Sequence, residues 1–284
     1  MKAVLICPTQ RPAVPNLAET GSLATLPILG DCLVNHWIEH LAMLGAKTID
    51  IIAPRCSEQV ATATGDGARW GVSLNIIATN VEPTVEEAIS QYSAKGAVGW
   101  LPAPFDVVLM NYLPGHPALP LFDSYASWFA ALVSWIPKAL TPTRIRMSEV
   151  RPGVWVGSRA KISPSAELRA PCWIGDHAIV ETGAVVGPEA ILEDRAVVDE
   201  NAKIERSWVS PDTFVGRMTS VARSLALGPT LINWQSDSSL RVPDAFLLGS
   251  LKKAPEAAAQ PRAARERRPQ VGFLASLRAR LSGG

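Results

Sequence analysis

The sequence predicts an α/β layer followed by a β-solenoid, and three observations carry that prediction. Aliphatic residues recur at every sixth position from Val156 to Ile204. Ahead of them, short apolar runs alternate with stretches of helical periodicity. At 284 residues, 48% of them hydrophobic, the chain has room for two ordinary domains and a sizeable core.

Taken in order, residues 2–7 form an apolar run suited to a central parallel strand, buried on both faces. Residues 31–44 read as a helix, with Leu33, Trp37, Leu41 and Leu44 at three- and four-residue steps and Gly45 as the stop. Residues 48–53 form the next strand, 57–64 a helix, 74–78 a strand, 82–94 a helix and 106–110 a strand. This alternation predicts a reduced doubly wound layer. Such sheets bind ligands beyond the carboxyl ends of their strands, so the loop after residue 7 is the expected site. Residues 122–136 form one further helix. The expected divisions are an α/β domain over 1–121, a connection over 122–150, a solenoid with its extension over 151–249, and a tail over 250–284.

The solenoid rests on Val156, Ile162, Leu168, Ile174, Val180, Val186, Leu192, Val198 and Ile204. Four residues after each of the first eight stands Ala, or once Cys172. A period of six fits neither a helix nor a flat strand; it fits short strands with one inward residue, joined by tight corners, three hexads to a triangular coil. The repeat slips by one residue and resumes at Val209, Val215, Val221 and Leu227. The pattern resembles the hexapeptide repeat of left-handed parallel β-helices.

The residue before each inward aliphatic points outward. One face of the prism therefore carries Trp155, Trp173, Ile191 and Trp208, with Gly157 and Gly175 leaving room beside the first two. The second face carries Lys161, Ile179, Val197 and Phe214; the third carries Glu167, Val185 and Lys203. Three stacked tryptophans need a cover. Either the chain's own helix around Trp128 and Trp135 supplies it, or another subunit does. On the second reading these four residues are an interface, and the chain is a homo- or hetero-oligomer through its solenoid.

Composition excludes several classes. A net charge of +1 offers no general attraction for nucleic acid. Cys7, Cys32, Cys56 and Cys172 show neither a CxxC pair nor a metal-like cluster with histidine, and read as small hydrophobes in a reducing compartment. The opening MKAVLICP is too short for a signal peptide, and no stretch has the length of a membrane span, which points to the cytoplasm. From Leu251 onward Lys, Arg, Ala, Pro and Gln dominate, as in a disordered linker. Val271, Leu274, Leu277 and Leu281 could share one helical face beside Arg278 and Arg280, suited to a membrane surface or a partner; a frayed tail is the alternative.

Two stretches carry a family resemblance. LPILGDCLVNHWIEHLAMLGAKTIDIIAP, residues 26–54, is similar to the first helix and second strand of sugar-1-phosphate nucleotidyltransferases, with Leu26-Pro27-Ile28 matching the "LPV" before that helix. GDGARWGVSLNII, residues 65–77, is similar to the segment leading into the family's third strand. A hexapeptide β-helix after such a domain is also the family's plan. The resemblance implies a nucleotide or sugar-phosphate ligand, with Mg²⁺ where the activity survives.

The departures are as informative. The family's glycine-rich loop, whose amides wrap phosphates, is replaced by Cys7-Pro8-Thr9-Gln10-Arg11-Pro12, with no glycine and two residues lacking an amide donor. Thr9, Gln10 and Arg11 are the remaining candidate phosphate contacts. The family's lysine falls near Leu23, and its metal-holding aspartate falls in Asn111-Tyr112. Much of the sugar-binding half is missing by length.

The expected function is therefore a catalytically inactive binding or scaffold component in sugar-nucleotide or envelope-polysaccharide metabolism, with no resident metal or cofactor. The alternatives are an active sugar-1-phosphate nucleotidyltransferase and a hexapeptide-repeat acyltransferase. For the latter, His177, the only histidine in the repeat, would be the base.

Overall fold

The computed structural model describes residues 1–19, 21–93, 101, 106–138 and 147–252. Strand β1 (Lys2–Ile6) is buried from Ala3 onward. After a loop and a single helical turn, two-residue strands β2 (Pro27–Ile28) and β3 (Asp31–Cys32) form a hairpin. Its turn is made by Leu29 (φ 49°) and Gly30 (φ 83°), two consecutive left-handed residues as in the turns that match strand twist. Helix α1 (Leu33–Met43) follows directly.

Strand β4 (Thr48–Pro54), helix α2 (Ser57–Thr64), strand β5 (Ser73–Thr79), helix α3 (Val85–Ser93) and strand β6 (Val107–Leu109) complete the α/β layer. The sheet is parallel with order β5-β4-β1-β6. Chain direction across the sheet therefore reverses at β1, which opens a crevice beyond its carboxyl end. Helix α4 (Tyr125–Trp135) starts in a capping box, with Ser124 and Ser127 exchanging side-chain and backbone bonds.

From Val154 onward, short parallel strands stack into three sheets, an arrangement compatible with a β-helix. Trp155 pairs with Trp173, and Trp173 with Ile191. Ile191 pairs with Trp208, and Trp208 with Leu225. The inward aliphatics form a core of their own.

The corners repeat as strictly as the strands. His177, Arg195 and Asp212 hold left-handed backbone at one corner, Asn201 and Met218 below Gly183 at the next, and Glu189, Arg206 and Arg223 at the third. The alanine predicted in each hexad is buried beside such a corner, as at Ala178, Ala184 and Ala196. One expectation fails here. A second five-residue step follows Val221, so Ala226, paired with Val209, is the inward residue, and Leu227 joins the other core. A step of five is accommodated because the corner, not the strand, gives up the residue.

Both ends of the longest sheet change direction. Met147–Arg151 lies antiparallel on Val154–Gly157. At the other end Thr230–Asn233 folds back on Ser224–Leu227, and Ser238–Arg241 folds back again. Leu248–Ser250 runs antiparallel along Thr213–Val215.

The tryptophan face is covered by the chain itself. Trp173, Ile191, Trp208 and Leu225 belong to the same hydrophobic cluster as the α/β layer, and all four are fully buried. Trp128 of α4 meets Trp208 edge-on with ring centres 6.2 Å apart, and Phe129 stacks on Trp234 at 5.2 Å. The expectation of an intersubunit face at Trp155, Trp173, Ile191 and Trp208 is corrected accordingly, since only Trp155 keeps partial exposure. Gly157 and Gly175 do not make room for a partner either. A Cβ on Gly157 would stand 2.7 Å from the backbone of Asp176, and one on Gly175 2.6 Å from the backbone of Asp194, so both serve the close approach of the next coil.

One side chain fastens the two layers. Glu193 is fully buried, and its carboxylate accepts from the Leu29 amide at 2.7 Å, the Gly30 amide at 2.9 Å and the Trp208 indole N–H at 2.9 Å. The hairpin turn of the α/β layer is thus held by a group projecting from the solenoid. Burial pushes the Glu193 carboxyl up to about 7, against the pull of those three donors. Among the described residues, no helix is long and apolar enough to cross a membrane. The amphipathic segment at residues 271–281 lies outside the described residues.

Candidate functional site

Beyond the carboxyl ends of β1, β4 and β5 lies a cleft of about 830 Å³. Thr9, Gln10 and Arg11 line it, as the topology predicts, opposite Ser22, Arg55, Cys56, Gln59 and Glu82. Most arrive from the ends of strands, while Ser22 caps the short turn Leu23–Thr25 and Gln59 lies on α2. The loop after β1 brings Thr9–Arg11, the turn after β4 brings Arg55 (φ 56°) and Cys56, and the turn after β5 brings Glu82.

The loop after β1 is closed on an internal carboxylate. Glu82 Oε2 accepts from the Thr9 amide at 2.7 Å, from Thr9 Oγ1 at 2.7 Å and from Arg11 Nη1 at 2.9 Å. Glu82 Oε1 accepts from Arg11 Nη2 at 2.6 Å. Burial raises the Glu82 carboxyl, but the bonds from Arg11 and Thr9 outweigh it and hold the group below its ordinary range. An amide, a hydroxyl and a guanidinium are the donors that would cradle a phosphate, and here all three serve a carboxylate of the same chain. Sequence reasoning missed Glu82 because it stands 71 residues from Arg11 in an unremarkable turn.

Across the reversal point Arg11 Nη2 also donates to Asn111 Oδ1 at 3.2 Å, just after β6. Arg11 therefore meets the first residue of Asn111-Tyr112, the pair that the resemblance sets against the family's metal-holding segment. Their chemistry does not suit a hard dication, because the amide oxygen already faces a guanidinium and carries no charge. Tyr112 turns away to meet Trp37 edge-on at 5.2 Å, and Leu23 is buried in the cleft wall.

Neither comparison with known proteins assigns a family: no family model matches the chain, and no curated protein matches it. The site is read from its own geometry.

The remaining candidate lies elsewhere. His177 occupies an exposed corner of the solenoid, with Nε2 3.2 Å from Arg159 Nη1 and 3.8 Å from Asp176 Oδ2. It does not line the cleft after β1. Cys7 is fully buried at the end of β1, and Cys56, half-buried immediately before α2, lines the cleft.

Proposed function

We propose that the chain is a noncatalytic relative of sugar-1-phosphate nucleotidyltransferases, a reduced nucleotidyltransferase-like layer on a left-handed β-helix. On this reading it acts as a binding or scaffold component in sugar-nucleotide or envelope-polysaccharide metabolism. The observation that carries the reading is the seat of Glu82. Nucleotidyl transfer relies on positioning and on stabilising phosphate charge. Here the Thr9 and Arg11 donors are occupied by an internal anion, and Asn111-Tyr112, without a carboxylate, stand where the family holds its metal.

The Trp155–Trp208 face is spent inside the chain, so an oligomer built through the solenoid uses another face. The column of Ile179, Val197 and Phe214, half-buried at the surface, is the apolar one left.

Pyrophosphate release from each nucleoside triphosphate with common sugar 1-phosphates and Mg²⁺ tests the reading. No turnover is expected from the wild type. Thermal shifts with nucleotides should be small for the wild type and larger for Glu82→Ala, which frees the donors. Robust turnover by the wild type, lost in Arg11→Ala, overturns it.

A further inference from the structure

We propose that the edge of β5 is a docking site for a second copy of this chain, the two strands pairing antiparallel about a two-fold axis at Ile76. Two four-stranded sheets then become one. β5 stands at the edge of its sheet and, among the described residues, pairs with β4 alone. Its residues Ser73-Leu74-Asn75-Ile76-Ile77-Ala78-Thr79 carry no charge and no proline, and their register with β4 runs unbroken by a bulge. Charge, proline and bulges are the devices that blunt an open edge against another chain. The longest sheet of the same molecule uses such devices: its outermost strands are reversed and carry Glu149, Arg151 and Arg241. β5 is no better shielded, since Ser73, Asn75 and Ala78 are exposed.

Backbone direction fixes the register. The Ser73 amide donates to Lys47 O at 2.8 Å, and Thr79 O accepts from the Arg55 amide at 3.0 Å. In a parallel ladder the amide and carbonyl of one residue face the same neighbour. Ser73, Asn75, Ile77 and Thr79 therefore address β4, and Leu74, Ile76 and Ala78 address the open side. An antiparallel partner must set outward residues against outward residues, each facing pair exchanging two N–H···O=C bonds. Centring on Ile76 does so: Leu74 of one copy faces Ala78 of the other, and the two Ile76 residues face each other. Of the registers that keep outward residues together, this one uses the whole strand.

The side chains accept the same symmetry. Ser73 falls against Thr79 and Asn75 against Ile77, so no like charges oppose each other. The carboxylate beside Asn75, Asp50 at 3.4 Å, is already paired with Lys2 at 2.7 Å. Past the strand, the axis carries Val81, 73% exposed, toward Gly71 of the other copy, where a Cβ would meet nothing within 4 Å. A bare valine at one end thus finds open space at the other, the self-complementarity that a two-fold contact requires. Val81 also lines the cleft after β1, so the second copy borders that site.

Sedimentation of the full chain over a range of concentrations, with amide hydrogen exchange read residue by residue, tests this. A reversible monomer–dimer equilibrium is expected, in which the Leu74, Ile76 and Ala78 amides slow as concentration rises and those of Asn75 and Ile77 change least. Ala78→Pro removes an outward amide without touching a bond to β4. It should weaken the dimer by about a hundredfold, since each copy loses a donor and leaves a carbonyl of the other unpaired. Asn75→Lys, which alters only an exposed side chain, should weaken it as well. The exchange pattern is read on the wild type, so the result stands even where a variant fails to fold. A wild type that stays monomeric, or β5 amides equally slow at every concentration because the chain itself covers them, overturns the proposal. So does a dimer whose slowed amides lie in the solenoid, or one equally tight in both folded variants.

Discussion

Glu193→Gln isolates the fastening between the two layers and predicts a specific pH signature. In the folded chain the Glu193 carboxyl titrates at about 7, against an ordinary value of 4.5. Below 4.5 folded and unfolded chains both hold the proton, so the group adds no slope. Between 4.5 and 7 the folded chain retains a proton that the unfolded chain has released, and stability falls as pH rises. Above 7 both are ionised and the curve flattens. The shift of roughly 2.5 units corresponds to a loss of about 3 kcal/mol across that window.

Glutamine keeps an oxygen for the Leu29 amide and the Trp208 indole but turns its own N–H₂ toward the Gly30 amide. The variant is therefore less stable at low pH by about 1–3 kcal/mol, the cost of one unsatisfied buried donor. It has no titration of its own to lose. Urea unfolding of both proteins from pH 4 to 8 gives a difference curve in which most other carboxylates cancel. Asp194, which faces Glu193, contributes a smaller residual. The wild-type advantage should shrink or reverse between pH 4.5 and 7. Parallel curves over the whole range would refute the assignment of a buried, titrating carboxyl at this junction.

Other substitutions test neighbouring links. Trp208→Phe keeps a ring in the core but removes one donor that favours the ionised Glu193; it should lower stability by about 1–2 kcal/mol and move the pH-dependent loss to higher pH, both read from the same unfolding series. Gly175→Ala places a Cβ 2.6 Å from the Asp194 amide nitrogen, backbone that cannot swing aside, so thermal melts should show a loss of about 1–3 kcal/mol. Leu29→Gly relieves left-handed strain of about 1–2 kcal/mol but removes a fully buried side chain whose burial contributes about 1.5–3 kcal/mol, and chemical denaturation should show a net loss. Trp173→Asp puts a charge into the shared core; circular dichroism should report unfolding of the chain rather than a change of subunit number alone.

Periodic features of the architecture were readable in the residues, because each hexad or helical turn states its own burial. Residues 57–64 were expected as a helix and are one, and the inward aliphatics from Val156 to Val221 lie where the period puts them. The miss at Leu227 shows the limit: Ala226 and Leu227 are both apolar, and only strand pairing decides which points inward. The cleft was legible as a location, since the rule about strand ends needs only the order of elements. Its chemistry was not. Glu82 stands in a turn, and Glu193 between Leu192 and Asp194 in an ordinary hexad. Each acquires its role from a residue tens of positions away, brought close by packing that no local pattern encodes.

The antiparallel strands at the two ends of the longest sheet bear on how the molecule behaves in a crowd. A stack of parallel coils has, at each open end, a row of amides and carbonyls matched to another copy of itself, the geometry from which fibres grow. In the longest sheet, reversing the chain at Met147–Arg151 and again at Thr230–Asn233 replaces that template with strands of the wrong direction. The outermost positions then carry Glu149 and Arg151 at one end and Ser238, Ser239 and Arg241 at the other, all exposed. Removing either cap while leaving the coils intact should expose a parallel edge and promote end-to-end elongation, a hazard set by the ends of the repeat rather than by its core.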